Sequence, residues 1–154
     1  MKNNTKKILR WIFLIVWVMF IFIMSQTPGN ESSEQSKLVL IVFSYLGIDL
    51  NSIFGDLATF IIRKGAHFTE YFILYILVFR VLNMYYSKKK SLIMGVLCVF
   101  LYACSDEFHQ YFIPGRVAAF KDVLIDTSGG IFASLITAII GSKKNRGCKK
   151  GPKS

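Results

Sequence analysis

Residues 91–116 read SLIMGVLCVFLYACSDEFHQYFIPGR. The first half, through Ala103, carries no charge, whereas Cys104–Arg116 packs two carboxylates, a histidine, an amide and a guanidinium into one short stretch. An uncharged run that ends in such a knot is the outline of a helix that crosses a bilayer and surfaces at one face. The rest of the chain bears this out. Of its 154 residues 53% are hydrophobic and 15% aromatic, and the mean hydropathy is +0.47. A soluble domain of this size seldom needs so much apolar material.

Working outward, three further apolar segments appear: WIFLIVWVMFIFIM (Trp11–Met24), the stretch around HFTEYFILYILVFRVLNMYY, and FKDVLIDTSGGIFASLITAIIG. A bilayer core takes roughly 20 helical residues, and flanking Lys, Arg and aromatic side chains extend shorter runs by snorkelling. We therefore expect one all-α membrane domain over residues 1–154. It is a polytopic bundle with four transmembrane helices at about 8–25, 66–86, 91–108 and 120–141. Residues 26–35 read as a polar turn with a Pro-Gly breaker. Residues 36–63 alternate apolar stretches with Gly47, Asp49, Asn51, Gly55 and Asp56, which predicts two short helices that lie in the outer interface or dip partly into it, forming a lid. Residues 142–154 form a basic tail.

Charge sets the expected topology. The formal net charge is +10. Of the 19 Lys and Arg, all but Lys37, Arg63, Lys64, Arg116 and Lys121 fall before the first helix, around the second connection or after the fourth helix. All nine acidic residues lie on the opposite side. The positive-inside rule then puts both termini in the cytoplasm and the acidic side outside the cell membrane. The basic excess reads as topology and contact with anionic lipid, not as a nucleic-acid surface. The first helix reads as an uncleaved signal anchor, since IMSQTPG lacks a small-x-small cleavage pattern. The three cysteines form no disulfide pattern.

The polar residues converge on the outer side. Asp106, His109 and Gln110 stand at i, i+3 and i+4 near the end of the third span, beside Glu107, and Arg116 follows the Pro114–Gly115 turn. Arg63, Lys64, His67 and Glu70 form a stripe near the second span. Asp122 and Asp126 open the fourth, followed by Gly129 and Gly130, which permit close helix approach. Asp126 sits inside an otherwise apolar helix, where a carboxylate is costly unless paired or hydrated. Any one pair serves equally well as a helix-end cap or a surface tie, and Arg116 alone reads best as a salt bridge to Asp122 or Asp126. Convergence from three helices favours a shared outward-facing pocket lined by Lys64, His67, Glu70, Asp106, Glu107, His109, Gln110, Arg116, Asp122 and Asp126.

The blocks Ser25-Gln26, RKGAHFTEY, YACSDEFHQYFIPGR and FKDVLIDTSGG, in that order, resemble the motifs of the VanZ-like membrane proteins from about Ser25 to Gly130. The matching positions are Lys64, His67, Glu70, Tyr71, Asp106, Glu107, His109, Gln110, Arg116, Asp122, Asp126 and Gly130. The resemblance implies a bacterial cell-envelope protein associated with low-level resistance to the glycopeptide teicoplanin.

Two function classes follow. In the first the pocket binds an amphiphilic, lipid-linked cell-wall molecule or a lipoglycopeptide, with Arg63, Lys64 and Arg116 meeting its anionic groups. In the second a divalent metal held by Asp106, His109, Asp122 and Asp126 serves an enzyme acting on a lipid or isoprenoid head group. No residue stands out as a nucleophile, which favours binding over catalysis.

Overall fold

Pro28 divides the first two helices. Its backbone takes an extended conformation (φ −54°, ψ 152°), and the chain turns helical again at Gly29. The computed structural model describes the backbone of residues 2–148 and the side chains of residues 4–140. It runs α1 (Lys2–Ser25), α2 (Gly29–Tyr45), α3 (Leu50–Phe54), a 3₁₀ turn (Gly55–Leu57), α4 (Ala58–Leu82), α5 (Lys88–Gln110) and α6 (Phe120–Cys148). Among the described residues there is no strand. The side chains of Lys2, Lys143, Lys144, Arg146 and Cys148, and all of Lys149, Lys150 and Lys153, lie outside the described residues.

Several helix ends differ from the expected ones, for local reasons. The polar turn shrinks to Gln26–Pro28, because SSEQS joins α2 instead of breaking it. Ser33 and Ser36 donate their hydroxyls to the carbonyls of Gly29 (3.0 Å) and Ser32 (2.9 Å), one turn back. Glu31 in the first turn complements the helix dipole. α4 starts at Ala58, eight residues before the position hydropathy suggests, and Gly65 sits inside it. A mid-helix glycine costs about 1 kcal/mol, which packing readily overrides. It ends at Leu82, short of 86, with Asn83 as its C-cap. The first turn of α5 takes in Lys88–Lys90, and Lys88 Nζ reaches the Ala138 carbonyl at 3.4 Å. α6 continues past 141 to Cys148, since no proline interrupts the chain before Pro152.

α4, α5 and α6 pack mutually, and α1 packs on α4 and α5. Two adjacent glycines make the close approaches among α4, α5 and α6. A side chain on Gly129 would strike the Phe68 backbone of α4, and one on Gly130 would meet Val99 of α5. α6 thus lies against two neighbours at once, as small residues allow in membrane bundles. The core is slim, built on Tyr71, Leu74, Tyr75, Val99, Ala103 and Ala133.

Most of the apolar surface faces outward. Phe13, Val16 and Ile23 of α1 are about 60% exposed (61%, 60% and 61%). In water such a surface would drive aggregation, whereas in lipid it is the solvated face. Four helical stretches, Asn4–Ser25, Leu50–Leu82, Lys88–Gln110 and Phe120–Ile140, are long and apolar enough to cross a membrane. The chain is a multi-pass membrane protein.

α2 turns its apolar side outward. Its inner stripe is small and mostly polar (Gly29, Ser32, Ser36, Leu40), while Leu38, Ile41, Val42 and Tyr45 point away from the bundle. Such a face needs an apolar surrounding. α2 packs along the start of α4, and Gly29 abuts Gly115 so closely that a Cβ on Gly29 would overlap it.

Candidate ligand-binding cavity

The end of α1, the first half of α4, the last turns of α5 and the start of α6 meet at one end of the bundle, with α2 alongside. Lys64 of α4 pairs with Asp122 of α6 at 2.5 Å. One turn further along α4, His67 Nδ1 lies 3.9 Å from Glu70 and 3.7 Å from Asp126. Asp126 is 2% exposed, and its Oδ1 has no hydrogen-bond donor among the described residues. On α5, Asp106 accepts from Gln110 Nε2 at 3.1 Å, with the hydroxyls of Ser25 and Tyr71 beside it. The Trp17 indole N–H donates to the Glu70 carbonyl at 3.0 Å, and the Tyr102 hydroxyl to the Val18 carbonyl at 3.0 Å, fastening α1 to α4 and α5.

Between these elements lies a cavity of about 350 Å³, a volume within the range of small-molecule sites. Arg63, His67, Glu70, Asp106 and Arg116 line it, together with Ser25 of α1 and Ser32, Gln35 and Ser36 of α2. Its other wall is apolar: Ile21, Met24, Val39 and Ile62. Arg116 donates from Nε to the Thr27 carbonyl at 3.0 Å, tying the α5–α6 connection to the α1–α2 turn. It makes no ion pair with Asp122 or Asp126, because Lys64 already occupies Asp122 and Asp126 lies behind His67. Burial lowers the Arg116 pKa from the ordinary guanidinium value, and the nearby Arg63 charge adds to that.

Of the ten expected pocket residues, His67, Glu70, Asp106 and Arg116 line the cavity. Gln110 and Asp126 support it from behind, and Lys64–Asp122 clamps α4 to α6 next to it. Two residues face elsewhere. His109 lies about a sixth of a helical turn off the Asp106–Gln110 line, enough to set its ring against Phe22 with centroids 5.1 Å apart. Glu107 turns to α6 and accepts the Ala119 backbone N–H, satisfying a donor at the start of that helix. Glu107→Ala should therefore lower stability by about 1 kcal/mol, as for a lost helix cap, with Glu107→Gln milder; thermal unfolding in detergent checks both.

Ser25, from the Ser25-Gln26 block, also lines the pocket, as do Ser32, Gln35 and Ser36, to which the sequence motifs do not point. The signal for the α2 face is the spacing of Gly29, Ser32, Ser36 and Leu40, which marks one side of a helix. The expected metal set also disperses, since His109 sits on Phe22 and Asp122 on Lys64. Among the described residues no three His, Cys, Asp or Glu side chains gather into a group that would hold a metal ion.

The fold and cavity together define a multi-pass helical membrane protein with a charged chamber at one end of the bundle. A family model described as VanZ/LLP1 matches residues 10–141, most of the chain. The protein belongs to this VanZ-like family. No curated protein and no solved structure matches it.

Proposed function

We propose that this protein lies in the bacterial cell membrane with both termini cytoplasmic, and that its cavity opens at the outer leaflet to bind an amphiphile. The ligand class is a lipid-linked cell-wall molecule or a lipid-tailed glycopeptide. Low-level resistance to teicoplanin would follow if occupancy changed the antibiotic's access to its target. The observation that carries the reading is a cavity holding uncompensated charge beside an apolar wall. Arg63 makes no hydrogen bond or ion pair among the described residues, and Glu70 has only His67 within ion-pair reach. Unpaired charges near a bilayer are expensive, and a ligand that neutralises them recovers that cost. Among the described residues, neither a gathered metal set nor a placed nucleophile supports catalysis over binding.

Deletion and complementation scored against a panel of glycopeptides and lipopeptides tests this. Deletion should raise susceptibility several-fold, wild type should restore resistance, and Arg63→Gln should fail to restore it while inserting at the wild-type level. His109→Phe, off the cavity, should complement. An unchanged phenotype on deletion, or full rescue by Arg63→Gln, would reject the proposal.

A further inference from the structure

The cavity has two electrical poles. Arg63 and Arg116 form one; Arg63 acts most strongly on Arg116, and Asp106, Glu107 and Glu70 act on it with the opposite sign. Among the described residues Arg116 commits only Nε, to Thr27, so its terminal N–H groups and the whole Arg63 guanidinium are left for a ligand. Two such forks match the oxygens of a phosphate. The other pole is acidic. Glu70 and Asp106 line the cavity with Asp126 behind them, and among the described residues His67 is the one basic group within ion-pair reach of Glu70 and Asp126. Carboxylates in this number need hydrogen-bond donors, and the Asp126 Oδ1 has none.

A ligand complementary to both poles carries an anion and a cation in one head group. The lining also selects the kind of cation. A quaternary ammonium offers no N–H and is recognised by aromatic faces, yet among the described residues no Phe, Tyr or Trp lines this cavity. A primary ammonium brings three N–H donors, which suits carboxylates. The apolar wall of Ile21, Met24, Val39 and Ile62 supplies a path for a chain. α1 and α2 both border the cavity, and their backbones do not pack closely on each other.

Resting on the amphiphile-binding reading, we infer that the cavity selects a zwitterionic lipid bearing a phosphate and a primary amine, with the phosphate between Arg63 and Arg116 and the ammonium toward Glu70 and Asp106. Phosphatidylethanolamine has this chemistry.

Native mass spectrometry of the delipidated full chain in detergent, titrated with short-chain phosphatidylethanolamine, phosphatidylcholine or phosphatidylglycerol, tests the assignment. Phosphatidylethanolamine should bind at least about tenfold tighter than the other two, the worth of one charge-assisted hydrogen bond. Glu70→Gln should erase that preference, and Arg63→Gln should weaken all three lipids. Size-exclusion chromatography identifies variants that stay folded, and Asp106→Asn replaces Glu70→Gln if the latter does not. Equal binding of phosphatidylethanolamine and phosphatidylcholine, or a preference that survives both acid-to-amide variants, would overturn this inference alone. Tail-less phosphoethanolamine binding as tightly as the lipid would overturn its lipid part. No binding by any of the three lipids would overturn this inference, whereas the amphiphile-binding reading stands or falls with the susceptibility test.

Discussion

Gly129→Leu is expected to leave little or no folded, monodisperse protein after detergent extraction. At this position α6 rests on the backbone of α4, and an added Cβ would overlap the Phe68 carbonyl group. A flexible side chain can move aside, but a helical carbonyl moves only if two helices separate. Overpacking typically costs about 1–3 kcal/mol, and more where backbone must yield. The cost falls on the α4–α6 contact that also positions His67 against Asp126. Gly65→Leu is the matched control, because that glycine lies in a helix where an added Cβ would meet nothing within 4 Å. Fluorescence-detected size exclusion and thermal unfolding should show loss for Gly129→Leu and near-wild-type behaviour for Gly65→Leu. Equal behaviour of the two would show that close approach at Gly129 is dispensable.

Lys64→Glu should be nearly as damaging, by charge instead of shape. Lys64 and Asp122 are 15% and 25% exposed in their side chains, so the pair is largely shielded from water. Breaking a buried ion pair costs roughly 3–5 kcal/mol; partial exposure lowers that figure and reversal of sign restores some of it. The substitution also adds an acid to a layer that already holds Glu70, Asp106, Glu107 and Asp126. The double variant Lys64→Glu/Asp122→Lys should recover much of the stability, and a double-mutant cycle measures how much. A cycle showing no coupling would mean that the pair does not hold α4 to α6.

The apolar runs make the four long helices legible, because hydropathy depends on neighbours in sequence and a bilayer imposes a length. The polar layer is legible in part for a similar reason. Asp126 within an apolar helix and the Glu70 stripe stand out against their surroundings. Orientation about a helix axis is harder to read. Asp106, Glu107, His109 and Gln110 are nearly consecutive, yet one faces the cavity, one caps α6, one lies tilted against Phe22 and one braces Asp106. A small rotation separates these roles, and packing against other helices sets it. The first half of α2 is easily mistaken for a turn, because serines and glutamates resemble one when the carbonyls they bond one turn back are not in view. Arg116 looks like a partner for an acid because charge complementarity is visible in sequence, whereas the Thr27 carbonyl that holds it is not.

The outward-turned apolar stripe of α2 bears on how any occupant would be supplied. In the proposed outer-leaflet placement, acyl chains would wet the far side of α2, and a ligand would enter sideways, between α1 and α2. Traffic by that route would be two-dimensional. Occupancy would then follow the mole fraction of ligand within the leaflet, and a compound almost insoluble in water could still saturate the chamber.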